Sequence, residues 1–349
     1  MNTIHILSLQ DLASEYLDKL RAVSPRLEIH QYNADDLGPS HHEPMLLEAI
    51  PSAIRDQTEI LFGWGKCMGQ TTLFPQLKWL QTHSAGIDYL FDTPVWSRSD
   101  ILISNARGVH AVPMAEYALA MMLALTRDVP LMLKLQSQSE WPDDRWAKFA
   151  RPELRGQTLG LVGYGAISRE LARLSQALGL RVLACNNSGQ RSTYQGYHIP
   201  GTGDPQATIP ETIYSTERLL DMLPACDFVV VLAPLTPDTR HMINTSAFAA
   251  MKNSAMFINL ARGGLVDEAA LASALTDGQI AAAGLDVFAK EPLPAESPLW
   301  TLDNVIISPH VSGFTPHYDA RSTDIFAENL RRYLNGEPLL NHVKRGKSY

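Results

Sequence analysis

The chain has 349 residues, of which 45% are apolar and 19% charged, and carries a formal net charge of -8. That length exceeds the roughly 100–200 residues that one hydrophobic core serves, so two domains are expected. The acidic balance offers no clustered basic face, which excludes a nucleic-acid surface from the expected roles.

Cys67, Cys185 and Cys226 are far apart, odd in number and without a Cys-x-x-Cys pair. Neither a disulfide framework nor a metal site is expected, and a reducing, cytoplasmic setting fits. The first ten residues lack a basic segment and lead directly to Asp11, unlike a secretory leader. The longest apolar stretch, residues 118–126, falls far short of the roughly 20 residues of a membrane span.

In chain order, short apolar runs at residues 4–9, 27–30, 60–63, 77–82 and 101–104 accompany a helical segment at 14–23. Strands alternating with helices predict a parallel α/β layer. Residues 112–125 follow as a helix, with Pro113 suited to its first turn and strong helix formers beyond. Because it is apolar nearly all round, it is expected to be buried, in a domain hinge or between subunits. Trp141 and Trp146 read as packing residues. A second series opens with a strand at 158–162, a helix to about residue 178, and a strand at 181–184. Residues 228–232, 255–260, 281–286 and 305–308 are continuous apolar runs, the pattern of a parallel sheet covered on both faces. Residues 319–334 form an amphipathic helix ended by Asn335-Gly336, expected to pack back on the first domain. Between residues 187 and 212 lies a Gly-, Pro-, Ser-, Thr- and Gln-rich connection of unusual length.

Gly163-Tyr-Gly165-Ala-Ile-Ser168 sits between a predicted strand and a predicted helix, where a dinucleotide fingerprint belongs. The first glycine permits the tight turn, the second admits the pyrophosphate, and the helix N-terminus supplies amide donors. Gly163, Tyr164, Gly165, Ala166 and Ile167 are therefore candidate cofactor residues. Ser168 replaces the third small residue, and its hydroxymethyl is expected to loosen the helix–strand packing slightly. The next strand ends at Asn186-Asn-Ser-Gly-Gln-Arg191, which lacks the acidic residue that NAD sites place against the ribose. Asn186, Ser188 and Arg191 could accept a 2′-phosphate that a carboxylate would repel, which puts NADP(H) ahead of NAD(H). Arg191 could equally be a solvated loop cation.

Three later segments carry the chemistry: Arg262 in Asn259-Leu-Ala-Arg-Gly-Gly, Glu291 in Asp286-Val-Phe-Ala-Lys-Glu-Pro292, and His310 in Ser308-Pro-His-Val-Ser-Gly313. Arginine clamps a carboxylate through paired hydrogen bonds, histidine exchanges a proton near neutrality, and glutamate orients a neighbouring imidazole. Each follows a strand-like run, the position at which open α/β sheets bind ligands. Reversible reduction of a 2-oxo acid needs this set.

Together with His83-Ser-Ala-Gly-Ile-Asp88, Gly108-Val-His-Ala-Val-Pro-Met-Ala-Glu116, Leu154-Arg-Gly-Gln-Thr-Leu-Gly-Leu-Val-Gly-Tyr-Gly165 and Ala233-Pro-Leu-Thr-Pro-Asp-Thr-Arg240, these segments occur in family order. The chain resembles the D-isomer-specific 2-hydroxyacid dehydrogenases over nearly its whole length, with a glyoxylate/hydroxypyruvate reductase-like character. The resemblance implies two doubly wound parallel-sheet α/β domains: a Rossmann cofactor domain at residues 107–312, and a flavodoxin-like, discontinuous substrate domain at residues 1–106 and 313–349. It implies catalytic roles for Arg262, Glu291 and His310, and substrate-carboxylate binding by the loop of Ser84, Ala85 and Gly86. It further implies cofactor contacts from Ala233, Pro234, Thr239, Leu260, Ala261, Asp286 and Gly313. A homodimer through the cofactor domain, at helix 112–125, belongs to the same expectation. His83 and His110 are expected to be structural or positional. The reaction implied is reduction of a small 2-oxo acid to a D-2-hydroxy acid, hydride coming from nicotinamide and the proton from His310. Two other readings stand beside it: a formate-type dehydrogenase, against which Glu291 argues, and a dinucleotide-sensing, corepressor-like scaffold.

Overall fold

A computed structural model describes residues 2–32 and 47–345. The chain divides into two compact units, one of Met1–Val109, Gln195–Tyr197 and Thr315–Tyr349, the other of His110–Tyr194 and His198–Phe314.

The first unit is built on five parallel strands: β1 (Ile4–Ser8), β2 (Leu27–Gln31), β3 (Thr58–Gly63), β4 (Trp79–Thr82) and β5 (Leu102–Ser104). Their order, β2-β1-β3-β4-β5, is the flavodoxin-like doubly wound arrangement. Alternation along the strands feeds two cores. Ile4, Ile6, Ile60, Phe62 and Trp79 meet Phe326 and Leu330 on one face, while Leu7, Leu61, Leu80 and Ile103 form the other. Phe326 lies on the C-terminal helix Tyr318–Asn335 and stacks on Phe62 at 4.4 Å. That helix therefore packs where the amphipathic pattern directs it, and Gly336 closes it.

The second unit contains seven parallel strands: β6 (Thr158–Val162), β7 (Arg181–Asn186), β8 (Thr212–Ser215), β9 (Phe228–Val231), β10 (Met256–Asn259), β11 (Ala282–Leu285) and β12 (Val305–Ile307). The order β12-β11-β10-β9-β6-β7-β8 reverses direction between β6 and β9, the switch point at which such sheets bind ligands. Leu159, Leu161, Val230 and Ile258 face helices Ala111–Thr126 and Ala166–Ala177. Val162, Val229, Val231 and Phe257 face helices Thr245–Ala250 and Glu268–Thr276. Both faces are covered, which is why these strands read as unbroken apolar runs.

Several elements escape the sequence pattern. β8 is a four-residue, half-exposed edge strand, too short for a visible period. Helices Thr245–Ala250 and Glu268–Thr276 are announced mainly by their caps, Asn244 and Asp267, whose side chains accept first-turn amides. Trp141 and Trp146 overturn the expectation that they are packing residues: they are 79% and 86% exposed in this chain. Helix Ala111–Thr126 is buried along Met114, Ala118, Met122 and Leu125, yet leaves Leu123 exposed. Among the described residues no helix is long and apolar enough to cross a membrane.

The connection between β7 and β8 contains no helix or strand, yet it is tightly tied. Arg169, 4% exposed, donates to the carbonyls of Asp204 at 2.6 Å and Ser192 at 2.8 Å. Tyr164 donates its hydroxyl to Asp204 Oδ2 at 2.7 Å, and Asp204 also accepts from the amides of Thr208 and Ile209. Burial pushes the Asp204 carboxyl up, but the bonds from Tyr164, Ile209 and Thr208 outweigh it and hold the group below the ordinary carboxylate value.

Candidate functional site

The candidate residues of the second unit gather at the carboxyl ends of its strands. After β6, Gly163 adopts φ 94, and a Cβ there would lie 2.7 Å from the amide nitrogen of Ala233, so any side chain would be both strained and obstructed. At Gly165, by contrast, a Cβ would meet nothing within 4 Å. No side chain caps helix Ala166–Ala177 at that residue. Its first-turn N–H groups thus remain as donors, beside open space, for an anion such as a pyrophosphate.

Two expectations for this turn need correction. Ser168 does not loosen the packing: it is fully buried, and its hydroxyl donates to the Gly163 carbonyl at 2.6 Å, bracing the turn. Tyr164 is 7% exposed in the helix-side core, so only its main chain can serve a cofactor. Ile167 packs at the edge of the same core.

Beyond β7, Asn186 folds the next residues around itself, accepting from the amides of Ser188 at 3.1 Å and Gly189 at 2.7 Å. Arg191 is neither a bare solvated cation nor turned outward to an anion. Its guanidinium donates to the carbonyls of Ala207, Pro210 and Glu211. Beyond β9, exposed Pro234 offers its carbonyl to Thr239 Oγ1 at 2.8 Å. Thr239 is 8% exposed and also accepts from the Thr236 amide, so it shapes the loop carrying Ala233 and Pro234.

The chemistry-bearing set follows β10, β11 and β12. Asn259, the last residue of β10, accepts from the Ala261 amide at 3.1 Å and donates to the Arg262 carbonyl at 3.0 Å. This fixes the turn from which the half-buried Arg262 extends; its Nη1 donates to the Ala261 carbonyl at 2.8 Å. Leu260 is buried and anchors the same turn. A Cβ on Gly263 would lie 1.9 Å from the carbonyl carbon of Phe288, so the loops after β10 and β11 meet backbone to backbone.

Glu291 and His310 are brought together. His310 Nδ1 lies 2.8 Å from Glu291 Oε2, and since a carboxylate only accepts, Nδ1 carries the hydrogen. Glu291 Oε1 accepts from the Phe288 amide at 3.0 Å, which steadies the carboxylate from its own loop. His310 itself sits at φ 55, a conformation sparsely used by non-glycine residues and kept only where surroundings impose it. Asp286 imposes it. Its carbonyl accepts the His310 amide at 2.9 Å, and its fully buried carboxylate accepts from Ser308 Oγ at 2.6 Å and from the amides of Val311 and Ser312 at 2.9 Å.

Asp286, expected to contact the cofactor, turns a carboxylate without exposed surface onto three donors of the segment that carries His310. Gly313 closes the segment against His110, whose Nδ1 is 3.0 Å from the Gly313 carbonyl. Ser308, Ser312 and Asn259 were not singled out from sequence. Their signal is a polar residue at the end of a buried strand.

Ser84, Ala85 and Gly86 belong to the first unit. Ser84 Oγ donates to the Gly86 carbonyl at 2.8 Å and lies 2.8 Å from the Tyr89 hydroxyl. Asn105 donates to the Ala85 carbonyl at 2.9 Å. Burial pushes the Tyr89 phenol up to about 12, so it remains a neutral partner. His83 is 8% exposed, packed on Phe62 and Tyr318, with Nε2 3.2 Å from Asp319.

Residues 119–312 match a family model described as D-isomer specific 2-hydroxyacid dehydrogenase, NAD binding domain. A relative from Chromohalobacter salexigens named (S)-sulfolactate dehydrogenase is 38% identical over 261 residues, 75% of this chain and 79% of that protein. A glyoxylate reductase from Thermofilum pendens is 35% identical over 75% of this chain and 74% of its own. Among solved structures, an NADPH-dependent glyoxylate/hydroxypyruvate reductase from Sinorhizobium meliloti, in complex with NADP and sulfate, superposes with TM-score 0.75 at 26% identity, covering 100% of both chains.

Proposed function

Because the chain belongs to the D-isomer specific 2-hydroxyacid dehydrogenase family, and is thereby an NAD(P)-dependent oxidoreductase of small 2-oxo and 2-hydroxy acids, we propose that it reduces a glyoxylate- or hydroxypyruvate-sized 2-oxo acid to the D-2-hydroxy acid. The observation that carries this reading is the 2.8 Å contact between His310 Nδ1 and Glu291 on the sheet that also bears the Gly163 turn. With Nδ1–H given to the carboxylate, Nε2 is the ring nitrogen that exchanges a proton with substrate.

A bound reduced nicotinamide supplies hydride to C2 of the oxo acid. His310 Nε2 donates the proton to the carbonyl oxygen as charge develops there, and Glu291 keeps the imidazole in the required tautomer. Arg262 binds the substrate carboxylate and stabilises the developing oxyanion. Asp286, with Ser308, holds the histidine loop in place. In the oxidative direction neutral His310 takes the proton back.

NADP(H) is the preferred cofactor in this reading. Residues 186–191 contain no carboxylate that would repel a 2′-phosphate. The relative from Sinorhizobium meliloti is named NADPH-dependent. In this reading the assembly is a homodimer through the second unit, where Leu123, Met132, Leu133, Trp141, Trp146 and Trp300 are exposed. A reducing cytoplasm suits Cys185 and Cys226, buried thiols pushed up to about 12 by burial.

The test is steady-state oxidation of NADPH and of NADH with glyoxylate, hydroxypyruvate and pyruvate, and the reverse reaction with sulfolactate. Turnover of a 2-oxo acid with NADPH favoured is the expected outcome. Dinucleotide binding without turnover of any acid overturns the proposal in favour of a sensing scaffold.

A further inference from the structure

We propose that His5, Glu28 and His30 form a binding site for one divalent transition-metal ion of the zinc or cobalt type, on the sheet of the first unit. The sheet register creates the juxtaposition. β1 and β2 pair in parallel with His5 opposite Glu28, and His30, two residues beyond Glu28, emerges on the same face.

One ligand atom from each residue lies within 4.8 Å of the others, and among the described residues no other set of three histidine, cysteine or acidic side chains converges this way. Glu28 reaches both imidazoles, with Oε2 3.6 Å from His5 Nδ1 and Oε1 3.2 Å from His30 Nε2. Ligands about 2.0–2.1 Å from a tetrahedral ion stand about 3.3 Å apart, so ligand atoms within 4.8 Å of one another close by about 1.5 Å at most to take an ion. The His5 and His30 rings lie parallel, 6.2 Å apart at 9°. Drawing their nitrogens together takes side-chain rotation, for which 21% and 29% side-chain exposure leaves room.

The chemistry of the set selects the ligand. Two imidazoles and one carboxylate suit zinc, cobalt or nickel rather than calcium or magnesium, which prefer oxygen alone. His5 Nδ1 is buried and makes no hydrogen bond, so its lone pair is available to an ion. Three protein ligands leave a fourth position for water. The site lies on the first unit, whereas Arg262, Glu291 and His310 lie on the second. The ion is therefore a clasp between β1 and the edge strand β2, and no part of the reduction depends on it.

Zinc alone is the probe, titrated into the full-length chain in competition with a chromophoric chelator, with Co2+ visible spectra reporting coordination. One ion per chain, micromolar or tighter, with four-coordinate Co2+ bands and a raised Tm, is expected. His30→Ala should abolish binding, and the near-isosteric Glu28→Gln and His5→Gln should weaken it at least about tenfold, all with dinucleotide affinity unchanged. Absence of binding at 100 µM free zinc overturns the proposal, as does binding that all three variants retain.

Discussion

Replacing Asp286 by Asn keeps shape and removes charge, so it isolates what the buried carboxylate does. One amide oxygen can still accept from Ser308 Oγ and the Val311 amide, as Oδ1 does now, but the amide nitrogen then faces the Ser312 N–H that Oδ2 accepts. A hydrogen bond to a charged group, about 1.5–3 kcal/mol, is lost, and two donors are left opposed with no exposed surface. The sum is about 3 kcal/mol, or about 6–12 °C in the unfolding of a unit of this size. The same change releases the loop that holds His310 at φ 55, and a displacement of about 1 Å there costs on the order of 100-fold in kcat. Differential scanning calorimetry and single-turnover hydride transfer read the two effects, while dinucleotide affinity, proposed to rest on the Gly163 turn, should change by less than about threefold. A variant with Tm within about 2 °C and kcat within about threefold of the parent would refute the positioning role.

In the proposed reaction reduction requires protonated His310 and oxidation the neutral form, so single-turnover rates in the two directions should differ in the sense of their pH dependence; identical pH profiles would exclude His310 as the shared acid and base. The Asp204 carboxyl lies below its ordinary value when folded, so its contribution is present above about pH 4 and fades as pH falls through the folded value. Asp204→Asn should accordingly lower Tm at pH 7 by more than at pH 3, and an equal or larger loss at pH 3 would reverse that sign. Leu133→Asp combined with Trp146→Ser should shift the chain from dimer to monomer in sedimentation velocity, because both side chains are exposed on the second unit; a wild-type chain that sediments as a monomer removes the premise.

Much of the architecture is legible because its causes are local. Parallel strands covered on two faces must be apolar throughout, and a pyrophosphate turn must have glycine where a side chain would strike Ala233. Arg262, Glu291 and His310 stand out because few other side chains could perform the proposed chemistry, and each follows a strand. Tyr164 misleads: nothing near it shows that its hydroxyl is engaged by Asp204, forty residues away in sequence. Asp286 misleads for a related reason, since a carboxylate at a strand end looks the same whether it faces a ligand or turns inward to backbone amides. The tryptophans at 141 and 146 show the limit of reasoning by hydrophobicity, which says that a surface will be covered without saying by whom.

The seating of Gly263 under the Phe288 carbonyl has a consequence for how such an enzyme can diversify. The arginine and the glutamate loop are keyed to one another through main chain, and the histidine is pinned by Asp286 from the neighbouring strand end. Distances among the three side chains are therefore not adjustable one residue at a time. A larger or differently charged substrate has to be accommodated by loops outside this assembly. Selectivity and chemistry are thus separately mutable, and redesign of the substrate range can leave the strand ends of the second unit untouched.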